Sequence, residues 1–334
     1  MSDSETHLNV CQVTLVRDLP IIKENIAEFN KYYSNLNFFI ICPSKEIESF
    51  IKIKEKNIKI INEESIISFE NFKNNFLNNL KNTTYFQEIQ SRLSWYYQQV
   101  LKISFIIDFV KNNNKRMIIW DSDTIILKKI DFFGRDFSIK YGTINEFFKA
   151  YYLTNKTIFG YLPNFFLSSL LQFVSLTSLE NEFLTKNLDN FSKKNNLTTA
   201  EWISNLISLA ISKTHKNYNG SMFSEYELIG MSNIFLTNNM QKIIPTLRNN
   251  LNGKFTELQK NIARTIGFYH VTYEHSYLNP NSSGMLLRKQ SWSSYFKILV
   301  KNLVKFLPYL LFYNMLRLFY SLKQKQNKIN YIYK

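Results

Sequence analysis

Residues 117–124 are Met-Ile-Ile-Trp-Asp-Ser-Asp-Thr, and this segment gives the strongest indication of the fold. The first four residues form a continuous apolar run, which is typical of a central parallel strand buried on both faces. Two acidic residues, Asp121 and Asp123, follow directly. Ligands of open α/β sheets bind outside the carboxyl ends of the strands. We therefore expect the chemistry of this protein to lie immediately after residue 120.

The chain before this strand alternates between short apolar runs and segments with helical spacing. Alternation of this kind predicts a parallel sheet with right-handed crossovers and an α/β fold class. The predicted strands span 10–16, 37–42 and 58–61, and the predicted helices span 21–34, 45–54 and 86–112, with a polar insertion of uncertain structure over 63–85.

The second half of the chain has a weaker pattern. We expect short strands over 124–127 and 138–143, mostly helix over 162–214, a helix that starts at Ser221 or Ser224, and a late strand over 266–273. No Pro- or Gly-rich linker divides the first 280 residues. The pattern predicts one catalytic domain over 1–284 and a basic amphipathic helical tail over 285–334.

Composition excludes several classes of protein. The chain has 334 residues, 45% of them hydrophobic and 16% aromatic, which is enough to bury a core and excludes intrinsic disorder. Cys11 and Cys42 cannot form a disulfide framework, and neither has the neighbours of a metal site. The N-terminal residues are polar and predict no secretory signal, so we expect a cytoplasmic protein.

Asp121 and Asp123 are the first candidate site residues. At a strand end that turns, both carboxylates can approach one hard divalent cation, Mn²⁺ or Mg²⁺, which leaves coordination positions open for a diphosphate. The competing interpretation is a solvated turn after a core strand.

The helix before the strand carries the next candidates. Trp95, Gln99 and Lys102 share one face, and polar side chains on a helix that packs on a sheet are unusual unless they reach a ligand. We expect Gln99 and Lys102 to contact a bound ligand, with Lys102 as a point charge for a diphosphate. Alternatively, these residues form the solvent face.

Two further residues have the chemistry of site groups. Glu225 lies among aromatic residues and could act as a general base or bind acceptor hydroxyls, although an acid here could also complement a helix dipole. His270, at a strand end, is a candidate third metal ligand, against the alternative of a structural histidine.

Segments 94–102, 118–124 and 223–227 resemble, in order and spacing, a bacterial domain-of-unknown-function family of GT-A-type glycosyltransferases linked to lipopolysaccharide and capsule synthesis. The resemblance covers roughly residues 9–280. It implies a GT-A-like, Rossmann-like mixed sheet flanked by helices. It also implies a nucleotide-sugar donor whose diphosphate is bridged by Mn²⁺ or Mg²⁺ to Asp121 and Asp123, and a glycan or lipid-linked glycan acceptor.

Other functions remain open on the sequence. A phosphatase of the haloacid-dehalogenase type also places Asp-x-Asp at a strand end, but its motif usually follows the first strand and has a differently spaced Thr. A membrane-associated, non-catalytic glycan-binding or assembly protein on a GT-A scaffold is the second alternative. Nucleic-acid binding is not expected, because most of the excess positive charge lies in the tail and no binding motif is present.

The tail predicts an anionic membrane surface as a partner. No acidic residue follows Glu274, whereas ten Lys and Arg residues do. Lys297, Lys301 and Lys305 form one stripe, and Leu299, Val300, Leu303, Phe306 and Leu307 fall on the other side of the predicted helix. This composition predicts a helix lying in the interface on the cytoplasmic face of the inner membrane. Packing of the tail on the catalytic domain, or a dimer interface, is the alternative.

Overall fold

The computed structural model describes residues 7–53, 55–134, 137–139, 141–143, 149–160, 170–214, 221–237, 242–249, 253–273 and 291–304. Ten strands are present in these residues: β1 Leu8–Val13, β2 Leu36–Cys42, β3 Ile58–Asn62, β4 Met117–Trp120, β5 Thr124–Ile126, β6 Tyr141–Thr143, β7 Leu170–Leu176, β8 Lys242–Ile243, β9 Thr246–Asn249 and β10 His270–Tyr273.

The helices of the described residues are α1 Leu19–Tyr32, α2 Ile47–Ile51, α3 Phe69–Asn78, α4 Phe86–Gln90, α5 Leu93–Asn113, α6 Lys149–Phe159, α7 Ser178–Phe191, α8 Thr199–Ser212, α9 Glu225–Thr237, α10 Glu257–Ile266 and α11 over 292–304. Short 3₁₀ turns occur as well, one of them over Val16–Asp18.

Seven strands form the main sheet, in the order β3-β2-β1-β4-β7-β6-β8. The first four strands in this order are parallel, as the alternating sequence pattern predicts. β7 runs antiparallel to both β4 and β6. The protein is therefore a mixed α/β fold with helices flanking the sheet, and the predicted fold class is confirmed at that level.

The core lies on both faces of the sheet, and β4 contributes to each side. Met117 and Ile119 pack with the side chains of α5, α8 and α9, whereas Ile118 and Trp120 pack with those of α1 and β2. All four residues are buried. The continuous apolar run of β4 thus has the physical cause that the sequence predicts for it.

The second half differs from the sequence prediction in several elements, since α6, β8 and β9 are not predicted and β7 and α10 also differ. β7 lies inside the range predicted to be mostly helical, because its apolar run pairs with β4 along Leu176 to Phe173. α10 was not predicted, although Thr256 and Gln259 form a capping box and Gly267 ends the helix with a φ of 119°. The polar insertion contains α3, which packs on α8.

A second sheet, in the order β5-β10-β9, stands beside the main one. One face of α11 packs on it: Tyr295, Ile298 and Leu299 are buried with Phe255 and Tyr273. The Tyr295 hydroxyl donates a hydrogen bond of 2.8 Å to the Gln259 carbonyl oxygen. The beginning of the tail therefore packs on the domain, while the proposed boundary after residue 284 lies outside the described residues.

Candidate active site

The candidate site lies where the order of the strands reverses. The chain proceeds outward from β1 to β2 and β3, then returns to the other side of β1 to form β4. In α/β sheets ligands bind at such a reversal, outside the carboxyl ends of the strands, so the ends of β1 and β4 are the expected position of a ligand. Asp121 and Asp123 follow β4, and Asp18 follows β1 at the end of its 3₁₀ turn.

The structure brings Lys102, Asp121 and Glu225 together, although they come from α5, the end of β4 and the start of α9. The Lys102 Nζ donates to Asp121 Oδ1 at 2.6 Å and to Glu225 Oε1 at 2.8 Å. Lys102 and Glu225 are buried, whereas the Asp121 side chain is about one-third exposed. Lys102 thus does not lie on a solvent face, and its role in donor binding stays a prediction.

Burial and charge act in opposite directions at this ion pair. Burial lowers the pKa of Lys102, but the negative charges of Asp121 and Glu225 outweigh it, and the net pKa is raised. Burial raises the pKa of Glu225, and the Lys102 charge offsets part of that shift. The ammonium group is therefore permanently charged, and Glu225 is a stronger base than an exposed glutamate.

Asp123 faces a different environment. Its pKa lies well above the usual value, first because of burial and then because of the charges of Asp121 and Asp18. The Thr124 hydroxyl donates to Asp123 Oδ1 at 3.2 Å, and the Ser122 hydroxyl donates to Asp18 Oδ2 at the same distance. Three carboxylates thus concentrate negative charge at the ends of β1 and β4.

Gln99 is fully buried on α5, one turn before Lys102. Neither the oxygen nor the nitrogen of its side-chain amide has a hydrogen-bond partner. A buried amide without partners costs free energy, so such a group calls for an explanation. A bound ligand or water that uses both atoms would supply one, which agrees with the predicted donor contact of Gln99.

Three further residues lie at the candidate site without being predicted from the sequence. Gln12 on β1 is buried, and its Nε2 donates to the Asp121 carbonyl oxygen at 3.5 Å, while its Oε1 has no partner. The Tyr226 ring lies 5.1 Å from the Lys102 Nζ in a cation–π contact. Asp18 could have been found by applying to β1 the strand-end rule that singled out Asp121.

His270 lies on β10, opposite Ile126 of β5, and its buried ring packs against Trp120 with 5.7 Å between the ring centroids. Burial, followed by the charge of Arg248, lowers the pKa of His270 to about 3, so the imidazole is neutral. A neutral imidazole is the form that binds metals. Its role as a metal ligand stays a prediction.

The described part of the chain contains no group of three or more His, Cys, Asp or Glu side chains arranged to hold a metal ion. Mg²⁺, however, is commonly bound by one or two carboxylates together with substrate phosphates and water. After burial, the negative charges of Asp121 and Asp18 contribute to the raised pKa of Asp123, and a divalent cation would compensate these charges. Asp121 and Asp123 therefore fit a cation that binds together with a diphosphate.

Comparison with known proteins adds little to this picture. No model of a protein family matches the chain, and no curated protein matches it. Among solved structures, the chain is similar to mouse xyloside xylosyltransferase 1 in its apo form, with 7% sequence identity and a TM-score of 0.40. The match covers 82% of this chain and 99% of the mouse protein. A superposition of this quality carries no argument about the site or its chemistry.

Proposed function

We propose that the protein is a GT-A-type glycosyltransferase that moves a hexose-type sugar from a nucleotide-diphosphate sugar to a bacterial surface-glycan acceptor. The observation that carries the proposal is the buried Lys102, which joins Asp121 to Glu225 at the strand-order reversal, beside the unpartnered amide of Gln99. A buried charged network at the carboxyl end of a parallel strand is typical of a catalytic crevice.

In this proposal the donor diphosphate lies outside the ends of β1 and β4. Gln99 offers both amide atoms to the donor. Lys102 uses two of its three N–H groups on the two carboxylates and has the third for a phosphate oxygen. Mn²⁺ or Mg²⁺, held by Asp121 and Asp123, would neutralise the charge that develops on the leaving diphosphate.

The acceptor hydroxyl forms a bond to the anomeric carbon while the bond from that carbon to the diphosphate breaks, and the diphosphate leaves with the electron pair. Glu225 takes the proton of the acceptor hydroxyl if the reaction inverts the anomeric configuration. Its raised pKa suits this role, because a base works best when its pKa is near the working pH. If the reaction retains configuration, Glu225 binds the acceptor or the donor instead.

The test is the release of nucleoside diphosphate from a panel of nucleotide-diphosphate hexoses by the purified protein in the presence of Mn²⁺. We expect release from at least one donor, and a loss of about 100-fold or more in Asp123→Asn. Asp189→Asn, which changes an exposed aspartate on α7, is the matched control and should leave the rate unchanged.

Two results would contradict the proposal. The absence of release from every donor by folded protein would favour the non-catalytic glycan-binding alternative. An equal rate in Asp123→Asn and in the wild-type protein would remove Asp123 from the site.

A further inference from the structure

Helix α11 has a second apolar face beside the one that packs on the domain. Trp292, Phe296, Val300 and Val304 recur every four residues and therefore follow one side of the helix. Their exposed fractions are 44%, 52%, 56% and 63%. We call these four residues the outer stripe. It includes no residue of the buried face formed by Tyr295, Ile298 and Leu299.

The outer stripe concentrates exposed apolar surface in one place. The described residues include ten large hydrophobic side chains that are exposed, and four of the ten belong to this stripe. Single exposed apolar residues are ordinary on a protein surface, whereas a continuous apolar patch marks an interaction site. Trp292 and Phe296 also contact each other, with 6.0 Å between the ring centroids.

Positive charge accompanies the outer stripe. Lys297 and Lys301 each follow a stripe residue by one position, and both are exposed. In the sequence, all ten charged residues after Glu274 are Lys or Arg. An apolar stripe with aromatic residues and flanking lysines is complementary to the interface of an anionic bilayer, where rings enter the headgroup region and lysines contact the headgroups.

We propose that the outer stripe of α11, with Lys297 and Lys301, is a docking surface for an anionic phospholipid bilayer. α11 would lie along the interface with the outer stripe towards the bilayer, because Tyr295, Ile298 and Leu299 hold it on the domain. No helix among the described residues is long and apolar enough to span a membrane. The surface differs in part from the one predicted from the sequence. Val300 belongs to both, Leu299 is buried against the domain, and Phe306 and Leu307 lie outside the described residues.

Charge also argues against a second copy of the chain as the occupant. A symmetric dimer through this face would bring the same surface of each subunit together. Lys297 and Lys301 of the two subunits would then lie near one another, and like charges at an interface oppose association. An anionic bilayer offers the opposite charge to the same two lysines.

The inference goes beyond glycosyl transfer and is tested without any donor. Full-length protein is sedimented with vesicles of phosphatidylcholine alone and with vesicles that also contain phosphatidylglycerol. We expect binding only to the anionic vesicles, weakened by salt. Phe296→Asp with Val300→Asp should reduce the partition coefficient by at least about tenfold, because it places charge in the apolar stripe. Ile51→Asp, at an equally exposed isoleucine on α2, is the control and should bind as the wild type does.

Charge is tested separately with Lys297→Gln and Lys301→Gln together. Each lysine near an anionic surface contributes on the order of a fivefold change in partition, so we expect a loss of about 25-fold at low salt. The same changes at the exposed Lys52 and Lys56 are the control. A blue shift of tryptophan fluorescence on binding, absent in Trp292→Phe, would place the stripe in the interface.

Three outcomes would overturn the inference. The first is that the full-length protein ignores anionic vesicles. The second is that the Asp variants bind as strongly as the wild type, which would locate binding elsewhere in the chain. The third is a concentration-dependent dimer, broken by the Asp variants, in a protein that does not bind vesicles.

Discussion

At the scale of single residues, Lys102 is the side chain on which the arrangement of the site most depends. It is a buried cation between two carboxylates, and Glu225 is equally buried. Removal of one partner of a buried ion pair leaves an uncompensated charge, which typically costs 3–5 kcal/mol. The pair therefore fixes the position of Glu225 and of the Asp121 carboxylate at the end of β4.

We predict that Lys102→Met lowers the free energy of unfolding by about 3 kcal/mol, because Glu225 remains buried without its cation. Adding Glu225→Gln should recover most of this loss but none of the activity. Urea unfolding of the single and double variants measures the coupling. Equal stability of Lys102→Met and the wild type would contradict the buried ion pair.

Substitution of Gln99 is expected to affect donor binding without lowering the stability of the fold. Both of its amide atoms are buried without partners, so Gln99→Leu should leave stability unchanged or raise it by about 1 kcal/mol while it weakens donor binding. Asn181→Leu is a useful comparison, because the Asn181 Nδ2 donates to the Ile107 carbonyl oxygen at 3.0 Å. That variant should be destabilised by about 1–3 kcal/mol. Donor binding unchanged in Gln99→Leu would remove Gln99 from the site.

The raised pKa of Asp123 leads us to expect that cation binding depends on pH. Its folded-state pKa lies well above 3.8, so the fold favours the protonated form, and this contribution to stability is lost as pH rises through the folded pKa. A divalent cation competes with that proton. The rise in Tm caused by Mn²⁺ with a nucleoside diphosphate should therefore be larger at pH 7.5 than at pH 5. A rise that is independent of pH would contradict a role for Asp123 in holding the cation.

Lys102, Asp121 and Glu225 could be predicted as candidate site residues from the sequence, because each is a charged residue in or directly beside an apolar segment. Their mutual contacts could not be predicted, because they bring together positions 123 residues apart in the chain. Gln12 could not be predicted as a site residue, because a single glutamine near the end of a strand is common and does not by itself indicate a binding site. Only the structure shows that it is buried beside Asp121.

At the scale of elements, the first half of the chain could be predicted well because each strand there is a short apolar run between turn residues. β4 matches its predicted bounds of 117–120, and β2 and β3 begin or end within one residue of theirs. β7 could not be recognised, because an apolar run between helices has no strand signature until it pairs with β4.

Helix α11 is held on the domain by the buried side chain of Tyr295. Tyr295 is buried between Phe255 and the Gln259 carbonyl, so Tyr295→Ala should lower the free energy of unfolding by about 3–5 kcal/mol. Tyr295→Phe removes only the hydroxyl and should cost about 1 kcal/mol. Val300→Ala, on the outer stripe, should change stability by less than about 0.5 kcal/mol. An unchanged urea midpoint in Tyr295→Ala would show that α11 is not docked on the domain.

At the scale of the whole molecule, the acidic and the basic features of the chain lie in different parts of the sequence. Asp18, Asp121 and Asp123 lie at the strand-order reversal, whereas the residues after Glu274 carry ten of the fifteen net positive charges. This separation fits a transferase whose crevice holds a cation and a nucleotide while its tail faces an anionic surface. Location on the cytoplasmic face of an inner membrane stays a prediction from the sequence.

The proposed function requires a nucleoside diphosphate and a divalent cation to bind together at the ends of β1 and β4. The most direct measurement is a thermal-shift panel of nucleoside diphosphates, each with and without Mn²⁺, on the wild type and on Asp123→Asn. A ligand at about 100 times its Kd stabilises the fold by about 2.7 kcal/mol, which raises the Tm by several degrees. We expect at least one diphosphate to raise the Tm of the wild type only with Mn²⁺, and not to raise that of Asp123→Asn. No Mn²⁺-dependent rise with any diphosphate, or the same rise in both proteins, would contradict the assignment.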